Sequence, residues 1–276
     1  MSANRLTKLQ HQQWVEDGYL HLKNIIPKEE AAVYLDAANE VIGPYEKENP
    51  RICEKGYYTI IQTLECTPRI DPLMDYPNLF PLILDLMGPY LQIMGSQIYV
   101  RYPNKKDKNL TAWHTDAGPS LRQVRVGLDS LPLNFKIQFF LTEIPTENCA
   151  NFMLVPGSHR REFPKDSAPR YDNPPGAVQL ICQPGDCAVF PNTLWHSVAP
   201  NHSDTVRRSI TFRYGQMWCR PYDYEKCPEK VLARMTPRRR RLMGDMGKNY
   251  TATDYFKPKD QIEIIMDGLD FECPHV

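Results

Sequence analysis

The first third of the chain carries apolar residues at helical spacing between polar ones. Residues 7–17 predict a helix that Thr7 caps and that ends before Gly18, and residues 19–22 predict a short strand. A second helix is expected to begin at Pro27 and to end at Gly43 and Pro44. A third is expected over residues 78–87. This part of the chain therefore predicts helices around a single short strand.

From residue 93 onward the pattern changes to short strand-like runs separated by Pro, Gly, Asn and Asp. These runs are 97–102, 136–141, 151–155, 177–181, 186–190, 197–199 and 208–214. Helices that precede a series of strands indicate helices packed outside a β core. With no Gly/Ser linker, we predict one domain over 1–276. It comprises a helical buttress with a first strand (1–92), a β core (93–218) and a C-terminal lid or buttress (219–276).

Charge and composition narrow the class of protein. The 276 residues contain 33 Lys and Arg against 33 Asp and Glu, so the net charge is zero. This balance gives no support for attraction to nucleic acid or to a membrane surface. No long apolar run and no signal-like N-terminus is present, and the eight cysteines form no CxxC pair. We therefore expect free thiols and a cytoplasmic protein.

One local exception to the charge balance is the run Arg238-Arg239-Arg240-Arg241. Such a run can be a nuclear address or an RNA-binding patch. It follows Thr236 and Pro237, which are typical of a helix cap and first helical position. We favour one exposed turn of a short helix that ends near Gly244.

Candidate metal chemistry comes from His114 and Asp116, which lie two positions apart. In an extended segment such residues point to the same face and can converge on one ion. His196 follows 82 positions after His114. Two imidazoles and one carboxylate form the facial triad of non-haem Fe(II) oxygenases, which leaves positions open for substrate and O2. Taken alone, the pair also fits a buried histidine bonded to a nearby aspartate.

An arginine follows the distal histidine at a fixed distance. Arg207 lies 11 positions after His196 in a strand-like run and could hold a carboxylate through two parallel hydrogen bonds. Arg208 is its neighbour, and the two must face opposite sides of a strand. Only one of them can therefore point into a central cavity.

Several further motifs surround these residues. They are the N-terminal stretch from Leu6 to Leu20, Trp113-His114-Thr115-Asp116-Ala117, Val155-Pro156-Gly157-Ser158-His159-Arg160, Pro184-Gly185-Asp186, and the segment from Tyr214 to Tyr222. Together they resemble the phytanoyl-CoA dioxygenase family of Fe(II)/2-oxoglutarate-dependent oxygenases over most of the chain. The resemblance implies a mainly β protein with flanking helices and a double-stranded β-helix core, of the jelly-roll, cupin-like type.

The resemblance also implies cofactors and roles. Fe(II) would be bound by His114, Asp116 and His196, with 2-oxoglutarate and O2 as cosubstrates. The spacing in similar enzymes selects Arg207 for the far carboxylate of 2-oxoglutarate. Thr193 and Gln138 are further candidates for binding it, although a turn hydroxyl and a surface amide would explain them equally well. The implied reaction oxidises, for example hydroxylates, a small organic molecule and releases succinate and CO2. A biosynthetic tailoring step is our working hypothesis.

Substrate contacts are expected from segments near the mouth of the barrel. The candidates are Tyr57, Tyr58, Ile61, Gln62, Tyr99, Arg101 and Arg213. The loop 122–129, with Arg122 and Arg125, could accept an anion, but solvated surface charge explains it equally well. His159 is expected to shape a turn. The remaining histidines should be surface or capping residues: His11, His21, His202 and His275.

Two other functions remain open at this point. A halogenase of similar fold would need a vacant position where Asp116 stands, which argues against it. A non-catalytic jelly-roll binding protein would be expected to have lost a ligand or the arginine, whereas the full set is present.

Overall fold

A computed structural model describes residues 5–104, 107–116, 131–164, 170–246 and 258–267. Within these ranges the strands are β1 (Leu20–Leu22), β2 (Tyr57–Ile61), β3 (Leu91–Arg101), β4 (Thr111–His114), β5 (Asn134–Phe140), β6 (Phe152–Leu154), β7 (Val178–Gln179), β8 (Cys187–Pro191), β9 (His196–Val198) and β10 (Arg207–Gln216). They form a six-stranded sheet of order β1-β8-β5-β10-β3-β2 and a four-stranded sheet of order β4-β9-β6-β7. All the pairings that join them are antiparallel.

The described helices all come before β3 or after β10 in the chain. They are α1 (Lys8–Asp17), α2 (Lys28–Glu48), α3 (Thr63–Cys66), α4 (Phe80–Met87), α5 (Glu229–Leu232), α6 (Pro237–Leu242) and α7 (Lys259–Met266). Short 3-10 turns cover Ile52–Lys55, Pro68–Asp75 and Ser158–Arg160. None of the described helices is long and apolar enough to cross a membrane.

Helix α1 has the predicted boundaries. The Thr7 hydroxyl accepts a hydrogen bond from the Gln10 backbone N–H, and the Gln10 side chain accepts one from the Thr7 backbone N–H. Each side chain satisfies a backbone donor that the helix leaves free. Gly18 ends the helix at φ 77°, in the left-handed region.

The expected end of α2 at Gly43 and Pro44 is wrong, because the helix continues through Pro44 to Glu48. A proline inside a helix removes one hydrogen bond and crowds the preceding turn. Tertiary contacts hold the last turn in place here. Tyr45 stacks on Tyr58 with ring centroids 5.5 Å apart, and Glu46 accepts hydrogen bonds from the hydroxyls of Tyr58 and Tyr102.

The six-stranded sheet has two different faces. Its outer face carries Ile98, Val100, Ile137, Ile210 and Phe212, all fully buried in the main hydrophobic cluster. That cluster also includes residues of α2, α4, α5, α6 and α7. The inner face looks toward the four-stranded sheet and is largely polar. The division into three segments of one domain stays a prediction.

Some strand boundaries differ from the prediction. Strand β2 was not expected, and β3 begins six residues earlier than the predicted run at 97. His114 ends its own strand, β4, instead of following directly on the run 97–102. Strands β2 and β4 have only five and four residues, which leaves little alternation for a sequence pattern to detect.

The run of four arginines contacts acidic residues within the protein. Arg239 Nε donates to Asp75 at 2.6 Å, Arg238 Nε donates to Asp260 at 2.8 Å, and Arg240 pairs with Asp245. Arg241 also pairs with Asp260. Residues 238–241 do lie in a short helix, but they join α6 to α7 and to the turn before α4. The expectation that these arginines are exposed is therefore wrong, because they are partly buried and paired.

Candidate active site

The three predicted metal ligands meet where β4 and β9 pair. His114 lies opposite His196 in the register, and their ring centroids are 4.2 Å apart. Asp116 stands in the turn after β4, and its Oδ2 is 3.6 Å from His196 Nε2. One donor atom from each residue lies within 4.8 Å of the other two. These residues could hold a metal ion.

Both imidazoles are oriented by the backbone. His114 Nδ1 is 2.8 Å from the carbonyl oxygen of Ala112, and His196 Nδ1 is 2.9 Å from that of Leu194. A carbonyl can only accept, so each Nδ1–H donates and each Nε2 keeps its lone pair for a metal. Burial lowers the pKa of both imidazoles, that of His196 to about 3. Both are neutral at pH 7, as metal ligation requires.

Asp116 is ionised because of its charged neighbours, and in spite of its burial. Burial alone would raise the pKa of its carboxyl group, but neighbouring cations hold that pKa well below its usual range. Lys136 Nζ lies 2.7 Å from one carboxylate oxygen, and Arg213 Nη2 lies 3.2 Å from the other. Two neutral imidazoles and one carboxylate are therefore available at neutral pH.

Sequence reasoning missed Lys136. It lies on β5 directly opposite Arg213 of β10, and the two side chains reach Asp116 together. The signal available in the sequence was a lysine among mostly apolar residues of a predicted strand. In the structure all seven residues of that strand are buried. Arg213 was expected to bind substrate, but the structure brings it to the carboxylate of a predicted metal ligand and against the ring of Tyr222.

Arg207 lies at the other end of the inner face and is 2% exposed. Its Nη1 donates to the Ala150 carbonyl at 2.8 Å and its Nη2 to the Ser209 hydroxyl at 3.3 Å. Its Nε has no partner in the described structure. Arg208 belongs to the opposite face of β10, and its backbone N–H donates to the Thr142 hydroxyl.

Polar side chains line the inner face between Arg207 and the metal-ligand cluster. The Gln138 amide donates to the Ser209 hydroxyl at 2.8 Å, and Thr211 follows two positions further on. The Thr211 hydroxyl is buried and has no partner among the described residues. Buried polar groups are normally hydrogen-bonded, so the unpartnered polar atoms of Arg207 and Thr211 could bind a polar ligand. From Ser209 to Arg213 is about 13 Å along the strand.

Thr193 lies half-buried in the turn before β9. Its predicted part in binding the cosubstrate stays a prediction.

The predicted substrate residues separate into two groups. Tyr99 and Arg101 face inward on β3, with the Arg101 guanidinium 4.8 Å from the centre of the Tyr99 ring. Lys136 Nζ reaches the Tyr99 hydroxyl at 3.4 Å. Arg101 is buried and lies opposite Arg207 in the register. Tyr99 and Arg101 therefore lie on the same inner face as Lys136, which contacts Asp116.

Tyr58 and Gln62 make contacts elsewhere, and their predicted part in binding substrate stays a prediction. Tyr58 lies on the outer face, packs in the main hydrophobic cluster and donates its hydroxyl hydrogen to Glu46. Its neighbour Tyr57 faces inward, with the guanidinium of Arg101 5.2 Å from its ring centre. The Gln62 amide donates to the carbonyl of Asp223, which joins the end of β2 to the C-terminal segment. The loop 122–129 lies outside the described residues.

His159 is placed against the end of α1. A Cβ at Gly18 would lie 2.1 Å from His159 Nδ1, so this close approach requires glycine. The Gly157 backbone N–H donates to the Asp17 carbonyl at 2.8 Å. His159 is not part of the metal-ligand cluster.

Comparison with known proteins identifies the family. The family model described as phytanoyl-CoA dioxygenase (PhyH) matches residues 14–209, well over half of the chain. The chain belongs to the phytanoyl-CoA dioxygenase family. The resemblance seen in the sequence motifs is thereby confirmed.

The proteins to which this chain is similar in sequence include fungal dioxygenases. The dioxygenase trt7 of Aspergillus terreus is 33% identical over 105 residues, which cover 38% of this chain and 35% of that protein. The match thus spans about a third of the length of that relative. The dioxygenase olcK of Penicillium canescens is 24% identical over 251 residues, covering 83% of this chain and 77% of its own.

Solved structures show the same fold. HygX from Streptomyces hygroscopicus, with nickel and 2-oxoglutarate bound, has a TM-score of 0.63 at 16% identity, covering 82% of this chain and 94% of its own. The carbocyclase SnoK from nogalamycin biosynthesis has a TM-score of 0.59 at 20% identity, covering 91% and 96%. The expected jelly-roll class, mainly β with flanking helices, is confirmed.

Proposed function

We propose that this protein is an Fe(II)- and 2-oxoglutarate-dependent dioxygenase that oxidises a small organic molecule. The observation that carries the proposal is the cluster of His114, Asp116 and His196, in which both imidazoles are fixed with Nε2 free. These three residues would hold the iron. Bound iron, with 2-oxoglutarate and O2, would supply the oxidising chemistry and leave succinate and CO2 as co-products.

Arg207 would bind the far carboxylate of 2-oxoglutarate. Its guanidinium is buried, one of its donors has no partner in the described structure, and it lies on the same inner face as the cations around Asp116. The Ser209 hydroxyl accepts one hydrogen bond from the Gln138 amide and another from Arg207. Gln138 would therefore set the orientation of the arginine through Ser209. Thr193 remains a candidate for a second polar contact to the cosubstrate.

Lys136 and Arg213 would keep Asp116 ionised and fix the orientation of its carboxylate. Both cations contact this carboxylate from neighbouring strands, one at each oxygen. A ligating carboxylate is ordinarily held by such outer partners. This role replaces substrate binding as our proposal for Arg213.

The substrate would be a small organic molecule that enters beside Tyr99 and Arg101. HygX is also known in complex with hygromycin B, and SnoK is a carbocyclase of nogalamycin biosynthesis. The bound hygromycin B and the part of SnoK in nogalamycin biosynthesis support our proposal of a tailoring oxidation, such as hydroxylation. A binding protein without turnover is disfavoured by the complete ligand set, and a halogenase by Asp116.

The test is succinate formation from 2-oxoglutarate with Fe(II), with a panel of small molecules examined for the gain of one oxygen. The wild type should form succinate, and His196→Ala should not. His11→Ala is the matched control, because His11 is exposed on α1 away from the cluster. Tight binding of 2-oxoglutarate without any succinate across the panel would favour the binding protein instead.

A further inference from the structure

A second cluster of metal-binding side chains lies apart from the proposed iron site. It consists of His21 on β1, Cys182 in the segment that bridges to Ile144, and Asp186 directly before β8. Cys182 is fully buried, Asp186 is 5% exposed, and the side chain of His21 is 14% exposed. The expectation that His21 is a surface or capping residue is therefore wrong.

The contact between His21 and Asp186 is longer than a normal hydrogen bond, whereas the contact between His21 and Cys182 has the length of a hydrogen bond to sulfur. His21 Nε2 is 3.4 Å from Asp186 Oδ2 and 3.6 Å from Cys182 Sγ. A charge-assisted N–H···O bond is about 2.7–2.9 Å long. Both neighbours also approach the same ring nitrogen, which carries at most one hydrogen. The two contacts cannot both be good hydrogen bonds to His21.

The same distances fit the edges of a zinc tetrahedron. Zinc bonds are about 2.0–2.1 Å to imidazole nitrogen, about 2.0–2.2 Å to carboxylate oxygen and about 2.3 Å to thiolate sulfur. Tetrahedral angles then separate N from O by about 3.4 Å and N from S by about 3.6 Å. His21 Nε2 is therefore at the separations from the other two donor atoms that a shared ion requires, and all three donor atoms lie within 4.8 Å of one another.

The carboxylate of Asp186 is held as a ligating carboxylate normally is. Its Oδ1 accepts from the Asn24 backbone N–H at 2.8 Å, and its Oδ2 accepts from the Gln183 backbone N–H at 2.9 Å. Each oxygen retains a lone pair for a metal. The backbone thus fixes the carboxylate in the position that an ion would use.

We propose that His21 Nε2, Cys182 Sγ and a carboxylate oxygen of Asp186 bind a zinc ion, with water as the fourth ligand. The thiolate favours zinc over the harder Fe(II) of the other site. One thiolate and one carboxylate neutralise the dication, which suits a buried position. The ion would join β1 to the turn before β8 and so attach the N-terminal strand to the barrel.

Zinc binding releases the thiol proton of Cys182 to solvent. Zinc affinity should therefore rise as pH increases from 6 to 8. The iron site contains no sulfur, so the two sites can be told apart by spectroscopy.

Titration with Co(II), a spectroscopic substitute for zinc, tests the proposal. It is done on the full chain carrying His196→Ala, which weakens the first site. We expect one equivalent of Co(II) and a near-ultraviolet band from thiolate-to-cobalt charge transfer. Adding Cys182→Ser should remove that band and lower zinc affinity at least about tenfold. Cys66→Ser, at an exposed cysteine, should change neither.

His21→Gln gives a second variant, because Cys182→Ser alters a fully buried side chain and could disturb folding. It should keep the thiol but weaken zinc binding, with the fold checked by circular dichroism. No thiolate band in the folded protein, or a band that persists without Cys182, would overturn the proposal. Neither outcome bears on succinate formation, so the proposed dioxygenase activity stands or fails separately.

Discussion

The two faces of the six-stranded sheet differ although they share the same strands. On β10, Ile210 and Phe212 pack outward in the main hydrophobic cluster. The alternating residues Arg207, Ser209 and Thr211 point inward and are equally buried. Apolar burial on one face stabilises the fold, while buried polar and charged groups on the other cost stability unless a ligand satisfies them. The concentration of buried charged and polar side chains therefore marks the functional face.

The strongest test of this contrast removes a metal ligand next to the inner face. His196→Ala should abolish iron binding and succinate formation, an effect larger than the roughly 10–100-fold cost of changing an outer partner of a ligand. The melting temperature should stay close to that of the wild type. Iron content and succinate yield are measured on the same sample, and normal turnover would contradict the assignment.

A pair of substitutions on neighbouring positions compares the faces by stability. Ile210→Ala, on the outer face, should lower the free energy of unfolding by about 2–5 kcal/mol. Thr211→Val, on the inner face, removes a buried hydroxyl that has no partner in the described structure, and should be nearly neutral or stabilising. Urea unfolding measures both. If both variants lost the same free energy of unfolding, the outer face would not contribute more to stability than the inner face.

The two adjacent arginines provide the same comparison for the cosubstrate. Arg207→Ala should raise the apparent KM for 2-oxoglutarate roughly tenfold or more, because a charged hydrogen bond contributes about 1.5–3 kcal/mol. Arg208→Ala should have little effect, since it belongs to the other face. Steady-state kinetics with varied 2-oxoglutarate decides between them. Similar effects from both variants would count against the assigned parity.

Two tyrosines on opposite faces sharpen the contrast further. Tyr58→Phe removes a hydroxyl that donates to Glu46 and should lower the free energy of unfolding by about 1–3 kcal/mol without changing the ratio of succinate to product. Tyr99→Phe, beside Lys136, should raise that ratio and leave stability almost unchanged. Melting temperature and product ratio are measured together. A raised ratio in Tyr58→Phe would restore it as a substrate residue.

The smallest expected effect is a pH dependence of the metal-free protein. Burial lowers the pKa of His196 to about 3, below the value of about 6.5 in the unfolded chain. The unfolded state therefore binds the proton more readily, and stability should fall as pH decreases below about 6.5. The slope is at most about 1.4 kcal/mol per pH unit for this imidazole. His196→Gln should flatten the urea-unfolding profile between pH 7 and 5; parallel profiles would argue against the burial effect.

The sequence predicted the features that depend on short spacings. The capping box at Thr7 and the pair His114 and Asp116 are local patterns, and each has a direct chemical meaning. The distance from His196 to Arg207 follows one turn and one strand. For this reason the metal-ligand cluster could be anticipated before its geometry was seen.

What the sequence did not reveal depends on tertiary register. Tyr57 and Tyr58 differ only in which face of β2 they occupy, and that strand was not predicted. Lys136 was not singled out among apolar neighbours until its contact with Asp116 was known. His21 and Cys182 lie 161 positions apart, so only the folded barrel brings them together.

The four consecutive arginines of α6 have a consequence for how the protein meets polyanions. In the native state their guanidinium groups are partly buried and paired with Asp75, Asp245 and Asp260. Unfolding separates the arginines from Asp75 and Asp260 and leaves four adjacent positive charges with only Asp245 nearby. The denatured chain would therefore adhere to heparin or RNA at this segment, whereas the folded protein presents a neutralised surface there.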